Sequence, residues 1–178
     1  MRFNGDSMYG EGGTDKNLGT GDFSIAFWVR IPSRDNYGEV VVLDKRVQNP
    51  YRGYHLVIRD GSPLIQLADG GPWNGWYNYD SEIPAWAILD EEWHFLVVTV
   101  QRASRQGIRW YLDGIPAGLA KDPTDRQGSL SNEAPLLVGR HAFSISSSPG
   151  ELDELQILNR VLSPNEVSTQ FTRYTTCQ

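Results

Sequence analysis

Aromatic residues are unusually dense between residues 69 and 87 of the chain. The five aromatic side chains of this segment are Trp73, Trp76, Tyr77, Tyr79 and Trp86. They stand among Gly, Asn and Asp without a sustained alternation of apolar and polar residues, so a loop is predicted. A sugar ring has an apolar C–H face and a polar rim, and flat aromatic rings beside small polar side chains suit both. The chemistry predicted for this segment is therefore carbohydrate recognition.

Loops on a rigid scaffold are where binding residues usually lie. The residues predicted to face a ligand are Trp73, Trp76, Tyr77, Asn78 and Tyr79, whereas Trp86 is predicted to be structural. The neighbouring loop 44–53 is predicted to supply the polar side of the site through Arg46, Asn49, Tyr51 and Arg52. The alternative is that these rings pack on a sheet, and some must, because exposing all five would create a large apolar patch.

Paired carboxylates on one strand face would instead indicate glycoside hydrolysis, with an acid and a nucleophile. The segment Glu151-Leu152-Asp153-Glu154 has this pattern only superficially. Glu151 and Glu154 have opposite parity in a strand and therefore point to opposite faces. These two glutamates therefore cannot serve as the acid and the nucleophile for one substrate.

Other catalytic motifs are also missing from the sequence. The three histidines, His55, His94 and His141, are isolated and show no zinc-ligand spacing. Neither a G-x-S-x-G nucleophile elbow nor a glycine-rich phosphate loop opening a helix occurs. We therefore predict that the protein is not an enzyme and uses no catalytic metal.

The composition favours many short strands joined by turns. Among 178 residues there are 18 Gly and 10 Pro, and 39% of the residues are hydrophobic. The length fits one domain, predicted over residues 1–178. A formal charge of −6 argues against a nucleic-acid partner. No apolar stretch approaches the roughly 18 residues that a membrane span needs.

The two ends of the sequence add little chemistry. Cys177 is the single cysteine, so an internal disulfide is impossible, and intermolecular pairing stays an open alternative to an incidental thiol. Met1 leads into Arg2 and Phe3 without the apolar region of a secretory signal. The sequence is nevertheless compatible with one domain of a larger exported protein.

Two segments carry clear strand patterns. Residues 23–31 alternate with period two, and the apolar set is Phe23, Ile25, Phe27, Val29 and Ile31. Residues 93–101 are apolar on both faces, which predicts a central strand covered on both sides. Shorter strands are predicted at 40–43, 54–59, 64–68, 108–112, 136–138 and 152–158. Asp60-Gly61 and Asp113-Gly114 predict hairpin turns.

One short helix is predicted near the C-terminus. Ser163 is followed by Pro164 and, three residues on, by Glu166, which is a capping box with proline at the first helical position. Leu162 and Val167 flank this box as a hydrophobic staple.

The order of these motifs resembles that of bacterial laminin-G-like, concanavalin A-like domains. The motifs that carry the resemblance are the segments 3–7, 21–29, 93–99, 110–114, 135–140 and 150–163. The resemblance covers residues 3–167 and implies an all-β, two-sheet antiparallel sandwich of jelly-roll topology with one short C-terminal helix. It also implies a binding domain, outside the cell or on its surface.

Many members of this family bind a structural Ca²⁺, so we expect calcium here. Asp153 shares the parity of Leu155 and Ile157 and would face the core, where a carboxylate needs a partner. Domains of this kind pair their first and last strands, which would bring Asp6 near Asp153. The predicted metal ligands are Asn4, Gly5, Asp6 and Asp153. The alternative is that Asp153 accepts backbone N–H groups and Asp6 caps a turn.

Three functions remain at this point. The first is a noncatalytic carbohydrate-binding module that takes an oligo- or polysaccharide and contains a structural calcium. The second is a protein-binding adhesive module of the laminin-G type, because protein hot spots are also aromatic. The third is a hydrolase domain that has lost its catalytic residues.

Overall fold

The computed structural model describes residues 1–4, 8–32, 38–71, 75–144 and 149–175, and these residues form two six-stranded antiparallel sheets. The strands of the first sheet, in spatial order, are β1 (Arg2–Asn4), β12 (Pro149–Leu158), β3 (Phe23–Arg30), β8 (His94–Val100), β9 (Ile108–Leu112) and β10 (Ile115–Lys121). The first and last strands of the chain are neighbours, as the resemblance implied.

The second sheet contains the remaining strands. In spatial order they are β2 (Gly10–Glu11), β11 (Leu137–Val138), β4 (Glu39–Val47), β5 (Arg52–Arg59), β6 (Ser62–Asp69) and β7 (Tyr77–Asp80). A short 3₁₀ helix, Ala85–Ala87, follows β7. This arrangement confirms the predicted antiparallel β-sandwich.

The main core lies between the two sheets. Phe23, Ile25, Phe27 and Val29 of β3 are buried there, as their alternation predicted. They face residues of the second sheet such as Tyr54, whose ring centroid lies 6.4 Å from that of Phe23. Burial of this apolar surface is the main force that holds the sheets together.

Both predicted hairpin turns are confirmed. Asp60 and Gly61 join β5 to β6 with φ values of 48° and 80°, and Asp113 and Gly114 join β9 to β10 with 51° and 83°. Two successive positive φ values define the tight turn whose twist matches that of the flanking strands.

The C-terminal helix α1 (Pro164–Thr175) covers the outer face of the first sheet. Its capping box is present, because Ser163 N donates to Glu166 Oε2 at 2.8 Å and Glu166 N donates to Ser163 Oγ at 3.3 Å. Leu162 and Val167 are buried against Phe95. The strand predicted to be covered on both sides is β8, which faces the core on one side and α1 on the other.

A β-bulge interrupts β12 between Asp153 and Gln156, with Glu154 at a φ of 49°. Leu152 faces the core before the bulge and Leu155 packs against the core after it. In a regular strand these two residues would lie on opposite faces. The bulge therefore places Asp153 on the outer face of the sheet, where it is exposed.

Candidate binding site on the second sheet

A row of polar side chains crosses the outer face of the second sheet. Asp44 on β4 is opposite His55 on β5, His55 is opposite Gln66 on β6, and Gln66 is opposite Asn78 on β7. Directly opposite residues share one face of a sheet, so these four side chains line up perpendicular to the strands. Asp44, His55 and Gln66 are buried, although they face away from the core.

A backbone irregularity aims this row outward. The register of β4 against β5 shifts between Val41 and Leu43, and both Val42 and Leu43 face the core. The residues that follow are therefore displaced by one position, which directs Asp44 and Arg46 to the outer face. Residues 44–53 were predicted to be a loop, but β4 continues through Val47 and β5 begins at Arg52, so that prediction was wrong for 44–47 and 52–53.

Arg46 is the centre of the site. Its Nε and Nη2 donate to Asp44 Oδ1 and Oδ2 at 2.7 and 2.6 Å, which is a bidentate ion pair. Its Nη1 donates to Gln66 Oε1, and Gln66 Nε2 donates to Asn78 Oδ1 at 2.6 Å. Asp44 Oδ2 also accepts a hydrogen bond from the Ala142 backbone N–H at 2.8 Å. The polar groups are thus joined in one network.

Three aromatic rings surround this network. The Arg46 guanidinium carbon lies 4.9 Å from the Trp76 ring centroid and 5.3 Å from that of Phe143. Tyr51 meets Trp76 edge to face, with ring centroids 5.4 Å apart. Phe143 is 47% exposed, and Trp76 and Tyr51 are half-buried. The site therefore combines flat apolar surface with charged and amide groups.

Two histidines adjoin the network at its other side. His55 is almost completely buried, and this burial lowers its pKa well below the usual value. His141 Nε2 lies 2.9 Å from Glu39 Oε2, and this hydrogen bond lowers the pKa of Glu39 to about 2. The ring centroids of the two histidines are 5.0 Å apart, so the prediction that the histidines are isolated was wrong for this pair.

Only part of the predicted ligand-facing set lies on this face. Trp76, Asn78 and Tyr51 do, whereas Tyr77 and Tyr79 have the opposite parity on β7 and pack toward the core. Tyr79 is buried, its hydroxyl donates to Asp125 at 3.2 Å, and burial raises its pKa. The prediction that Tyr77 and Tyr79 face a ligand was therefore wrong, because the segment contains strand β7 and is not a loop throughout.

Three further predictions concern residues at the edge of the site. Arg52 has the parity of the core-facing Tyr54 and lies against the backbone of Gly70, away from the polar row. Trp86 was predicted to be structural, but it is 79% exposed on the 3₁₀ helix, so that prediction was wrong. Trp73 lies outside the described residues.

The predicted calcium ligands do not come together where the structure describes them. Asn4 is opposite Pro149, four residues from Asp153, which corresponds to about 13 Å along the strand. Asp153 is exposed and not core-facing, because the bulge reverses its parity. Gly5 and Asp6 lie outside the described residues. Asn4 and Asp153 therefore do not share a site, whereas the pairing of Asp6 with Asp153 and calcium binding itself stay predictions.

Sequence reasoning named Arg46 for the polar side of the site, and the structure places it at the centre. It missed the residues around Arg46, which are Glu39, Asp44, His55, Gln66, His141 and Phe143. One signal was available, since the charged run Asp44-Lys45-Arg46 follows Val40–Leu43 without a turn residue. If the strand continues through these charged residues, some of them become buried. Because buried charges need partners, such a run indicates a buried polar network.

The fold and this face define the class of protein. Two stacked antiparallel sheets of jelly-roll topology, with a polar and aromatic outer face, are the architecture of a concanavalin A-like domain. Residues 4–168 match the family model described as the concanavalin A-like lectin/glucanases superfamily. The chain belongs to this family.

The similar proteins include bacterial toxin components. The non-toxic nonhemagglutinin of Paraclostridium bifermentans is 24% identical over 157 residues, which are 87% of this chain and 12% of that protein. The binding domain of Paraclostridial Mosquitocidal Protein 1 has a TM-score of 0.71 at 19% identity, over 89% of this chain and 38% of that one. This chain thus spans a small part of these relatives.

Two further solved structures carry bound partners. The botulinum neurotoxin serotype D ligand-binding domain in complex with N-acetylneuraminic acid has a TM-score of 0.64 at 15% identity, over 86% of this chain and 36% of that one. The botulinum neurotoxin DC binding domain in complex with rat synaptotagmin II has a TM-score of 0.63 at 13% identity, with the same coverage. At these identities the similarity establishes a shared fold. No helix of the described chain is long and apolar enough to cross a membrane.

Proposed function

We propose that this chain is a noncatalytic carbohydrate-binding domain whose ligand, an oligo- or polysaccharide, binds the outer face of the second sheet. The observation that carries the proposal is the Trp76 ring, which lies against the Arg46 guanidinium at one end of a network of amide and carboxylate groups. Such a combination of a flat ring and fixed polar groups matches the two sides of a sugar.

The network is suited to recognition because it is rigid. Arg46 is held by Asp44 and Gln66, so its position is fixed before a ligand arrives. Preorganised groups lose little conformational entropy on binding, which favours affinity. Asn78, at the end of the row, is exposed and follows Trp76 by two residues, which places both on the same side of the sheet. It is the amide that we expect to contact a sugar hydroxyl.

The relatives support a binding role over catalysis. The structural relatives are binding domains, and one of them was solved with a sialic acid. A domain of this kind would act outside the cell as part of a longer chain, and we propose that location. The alternative of a hydrolase domain that has lost its catalytic residues stays a prediction, which reducing-sugar release from mixed polysaccharides would test.

The test is binding to a panel of neutral and acidic polysaccharides, first by affinity electrophoresis and then by calorimetry. Trp76→Ala is expected to lower the affinity for the polysaccharide that binds at least tenfold, because the stacking surface is lost. Trp86→Ala is the matched control, since Trp86 is exposed on a separate 3₁₀ helix, and its affinity should equal that of the wild type. Equal losses in both variants, or a Trp76→Ala variant with full affinity, would reject the site.

A protein ligand is the second candidate, and the exposure of Trp86 favours it. Exposed tryptophans are common at the centres of protein interfaces, and a structural relative binds a synaptotagmin. In this case the glycan panel would give no binding. Capture of a cell-surface protein would then be lost in Trp86→Ala and retained in Trp76→Ala.

A structural Ca²⁺ stays a prediction, with Asn4, Gly5 and Asp6 as the ligands that remain from the predicted set. Calorimetric titration of chelator-stripped protein would test it, with the melting temperature measured alongside. A rise in melting temperature on adding Ca²⁺ that is absent in Asp6→Asn would support the site. No heat of binding and no change in melting temperature would reject the calcium site.

A further inference from the structure

His55 is a buried side chain whose ring nitrogens have no hydrogen-bond partner. It is 1% exposed, and neither Nδ1 nor Nε2 is paired among the described residues. Gln66, opposite His55 on β6, accepts from Arg46 and donates one of its two amide hydrogens to Asn78. A buried polar group without a partner costs roughly 1–3 kcal/mol, and such a group demands an explanation.

Two other metal-ligating side chains face this ring. Asp44 Oδ2 lies 3.8 Å from His55 Nε2 and 3.9 Å from His141 Nδ1. One ligating atom from each of the three residues lies within 4.8 Å of the other two. The atoms are thus one imidazole nitrogen from each of two histidines and one carboxylate oxygen.

The orientation of His141 is fixed by a carboxylate. Its Nε2 is bonded to Glu39 Oε2 at 2.9 Å, and Glu39 is itself held by Arg59 Nη2 at 2.7 Å. A hydrogen bond to an ionised carboxylate requires the proton on Nε2, which leaves the lone pair on Nδ1, the atom that faces Asp44. A histidine bonded to a carboxylate through one nitrogen and to a metal through the other is the usual second shell of a protein metal site.

We propose that Asp44, His55 and His141 bind one divalent transition-metal ion of the zinc class, with Glu39 as the group that orients His141. Two nitrogen ligands and one oxygen ligand suit Zn²⁺, Co²⁺, Ni²⁺ or Cu²⁺, whereas Ca²⁺ requires six to eight oxygens. With three protein ligands, the ion keeps a fourth position for water or an external ligand. This site is distinct from the predicted calcium site and does not depend on carbohydrate binding.

Zinc coordination requires a modest rearrangement. Metal–ligand distances of about 2.0–2.1 Å place tetrahedral ligand atoms about 3.4 Å apart, so the two measured distances to Asp44 must shorten by about 0.5 Å. Arg46 Nη2 must also move away from two of the proposed ligand atoms, Asp44 Oδ2 at 2.6 Å and His141 Nδ1 at 3.5 Å. Its Nε retains Asp44 Oδ1 at 2.7 Å, and the adjoining Trp76 and Phe143 rings stabilise the guanidinium.

The experiment is a calorimetric titration of untagged, chelator-stripped protein with ZnCl₂ at pH 7.5. We expect one ion per chain with a dissociation constant in the micromolar range or below. Titration with Co²⁺ is expected to give visible absorption of the intensity that four-coordinate nitrogen and oxygen ligands produce. His55→Ala and His141→Ala should each weaken binding at least tenfold, and Glu39→Gln about 10- to 100-fold.

Three controls separate this proposal from other sources of binding. His94→Ala removes the remaining histidine, which pairs with Asp90 and Asp113 on the first sheet, and should leave the zinc affinity unchanged. Cys177→Ser removes the chain's one thiol and should also have no effect. Trp86→Ala, on the separate 3₁₀ helix, should retain zinc binding. Zinc binding and polysaccharide binding are measured separately on the wild-type protein, so failure of the metal site and failure of the carbohydrate site are distinguishable.

Either of two results would overturn the proposal. One is the absence of saturable binding to the wild-type protein. The other is full affinity in both His55→Ala and His141→Ala, with near-ultraviolet circular dichroism showing that the variants are folded. If either alanine variant unfolds, His55→Gln and His141→Gln replace it, because glutamine retains the volume and a polar end but is a poor zinc ligand.

Discussion

At the scale of single residues, the candidate site is organised by one buried ion pair. Asp44 is fully buried and Arg46 is 7% exposed, and two hydrogen bonds join them. Two charges in such an environment are stable only as a pair, because a single buried charge would bear the full free-energy cost of its desolvation. The ion pair therefore fixes the positions of both side chains in the site.

Arg46→Met is expected to destabilise the protein by about 3–5 kcal/mol, because it leaves the Asp44 carboxylate buried without its counter-charge. Urea unfolding followed by tryptophan fluorescence would measure the change. Arg59→Met is the matched control, since the Arg59–Glu39 pair is more exposed and should contribute at most about 1 kcal/mol.

The double variant Asp44→Asn/Arg46→Met tests the cause of the loss. It should recover part of the stability that Arg46→Met loses, because the uncompensated charge is gone. A double variant with the same stability as the single one would show that the uncompensated Asp44 charge is not the cause of the loss, which leaves the packing of Arg46 against Trp76 and Phe143.

The residue scale is also where sequence reasoning was least successful. Alternation correctly placed Phe23 and its partners in the core, but it could not reveal the register shift at Val41–Leu43 or the bulge at Asp153–Gln156. Each irregularity inserts one residue and reverses the parity of all that follow. For this reason Asp153 was assigned to the wrong face and Asp44 was missed, although both belong to strands that were correctly predicted.

At the scale of elements, local sequence was sufficient to predict the two hairpin turns and the start of the C-terminal helix. Asp-Gly turns and the Ser163–Glu166 capping box depend on neighbours in sequence, so their signals are complete within a few residues. The cross-sheet partners of each strand depend on the whole chain. Their order came from the family resemblance, and the contact of α1 with Phe95 was not predicted at all.

One element junction gives a prediction about pH. His94, the first residue of β8, contacts Asp113 and Asp90 through its two ring nitrogens, each at 2.9 Å. The hydrogen bond to Asp113 is the main cause that raises the pKa of His94 to about 9. Asp113 also accepts from the Phe95 N–H at 2.9 Å, so this charge fixes the start of β8 to the β9–β10 turn.

Because the folded-state pKa exceeds the unfolded value of about 6.5, the stabilisation is fully present below pH 6.5 and is lost as the pH rises through about 9. Solvent screening of the partly exposed carboxylates reduces the effect to about 1–2 kcal/mol. Urea unfolding of the wild type and of His94→Gln between pH 6 and 9.5 would measure it. The difference in stability between the two should shrink across this window, and a constant difference would contradict the assignment.

At the scale of the whole molecule, the two sheets have different outer faces. The helix α1 packs on the first sheet, where it buries Phe95, Val97 and Tyr111. The second sheet carries the polar row and its aromatic neighbours on the corresponding face. This division places structural packing on one side and the candidate site on the other.

The two apolar clusters share strands, and this sharing predicts cooperative unfolding. On β3, Phe27 belongs to the cluster between the sheets while its neighbour Trp28 packs against Phe171 of α1, with ring centroids 5.8 Å apart. Loss of α1 would expose Phe95 and Val97 and weaken the same strands that form the main core. We therefore expect one unfolding transition for the chain, as predicted for a single domain.

Ser163→Ala tests this coupling, because it removes a side chain that caps α1 without touching either sheet. The loss of the cap should cost about 1 kcal/mol. If the molecule unfolds as one unit, far-ultraviolet circular dichroism and tryptophan fluorescence will show coincident transitions in urea, and the variant will shift both midpoints equally. Ser168→Ala, at an exposed position within α1, should shift neither by more than about 0.5 kcal/mol. A Ser163→Ala variant in which only the circular dichroism transition moves would mean that α1 unfolds separately from the sandwich. The outer face of the first sheet would then become accessible without global unfolding, and its aromatic residues would have to be considered as a second binding surface.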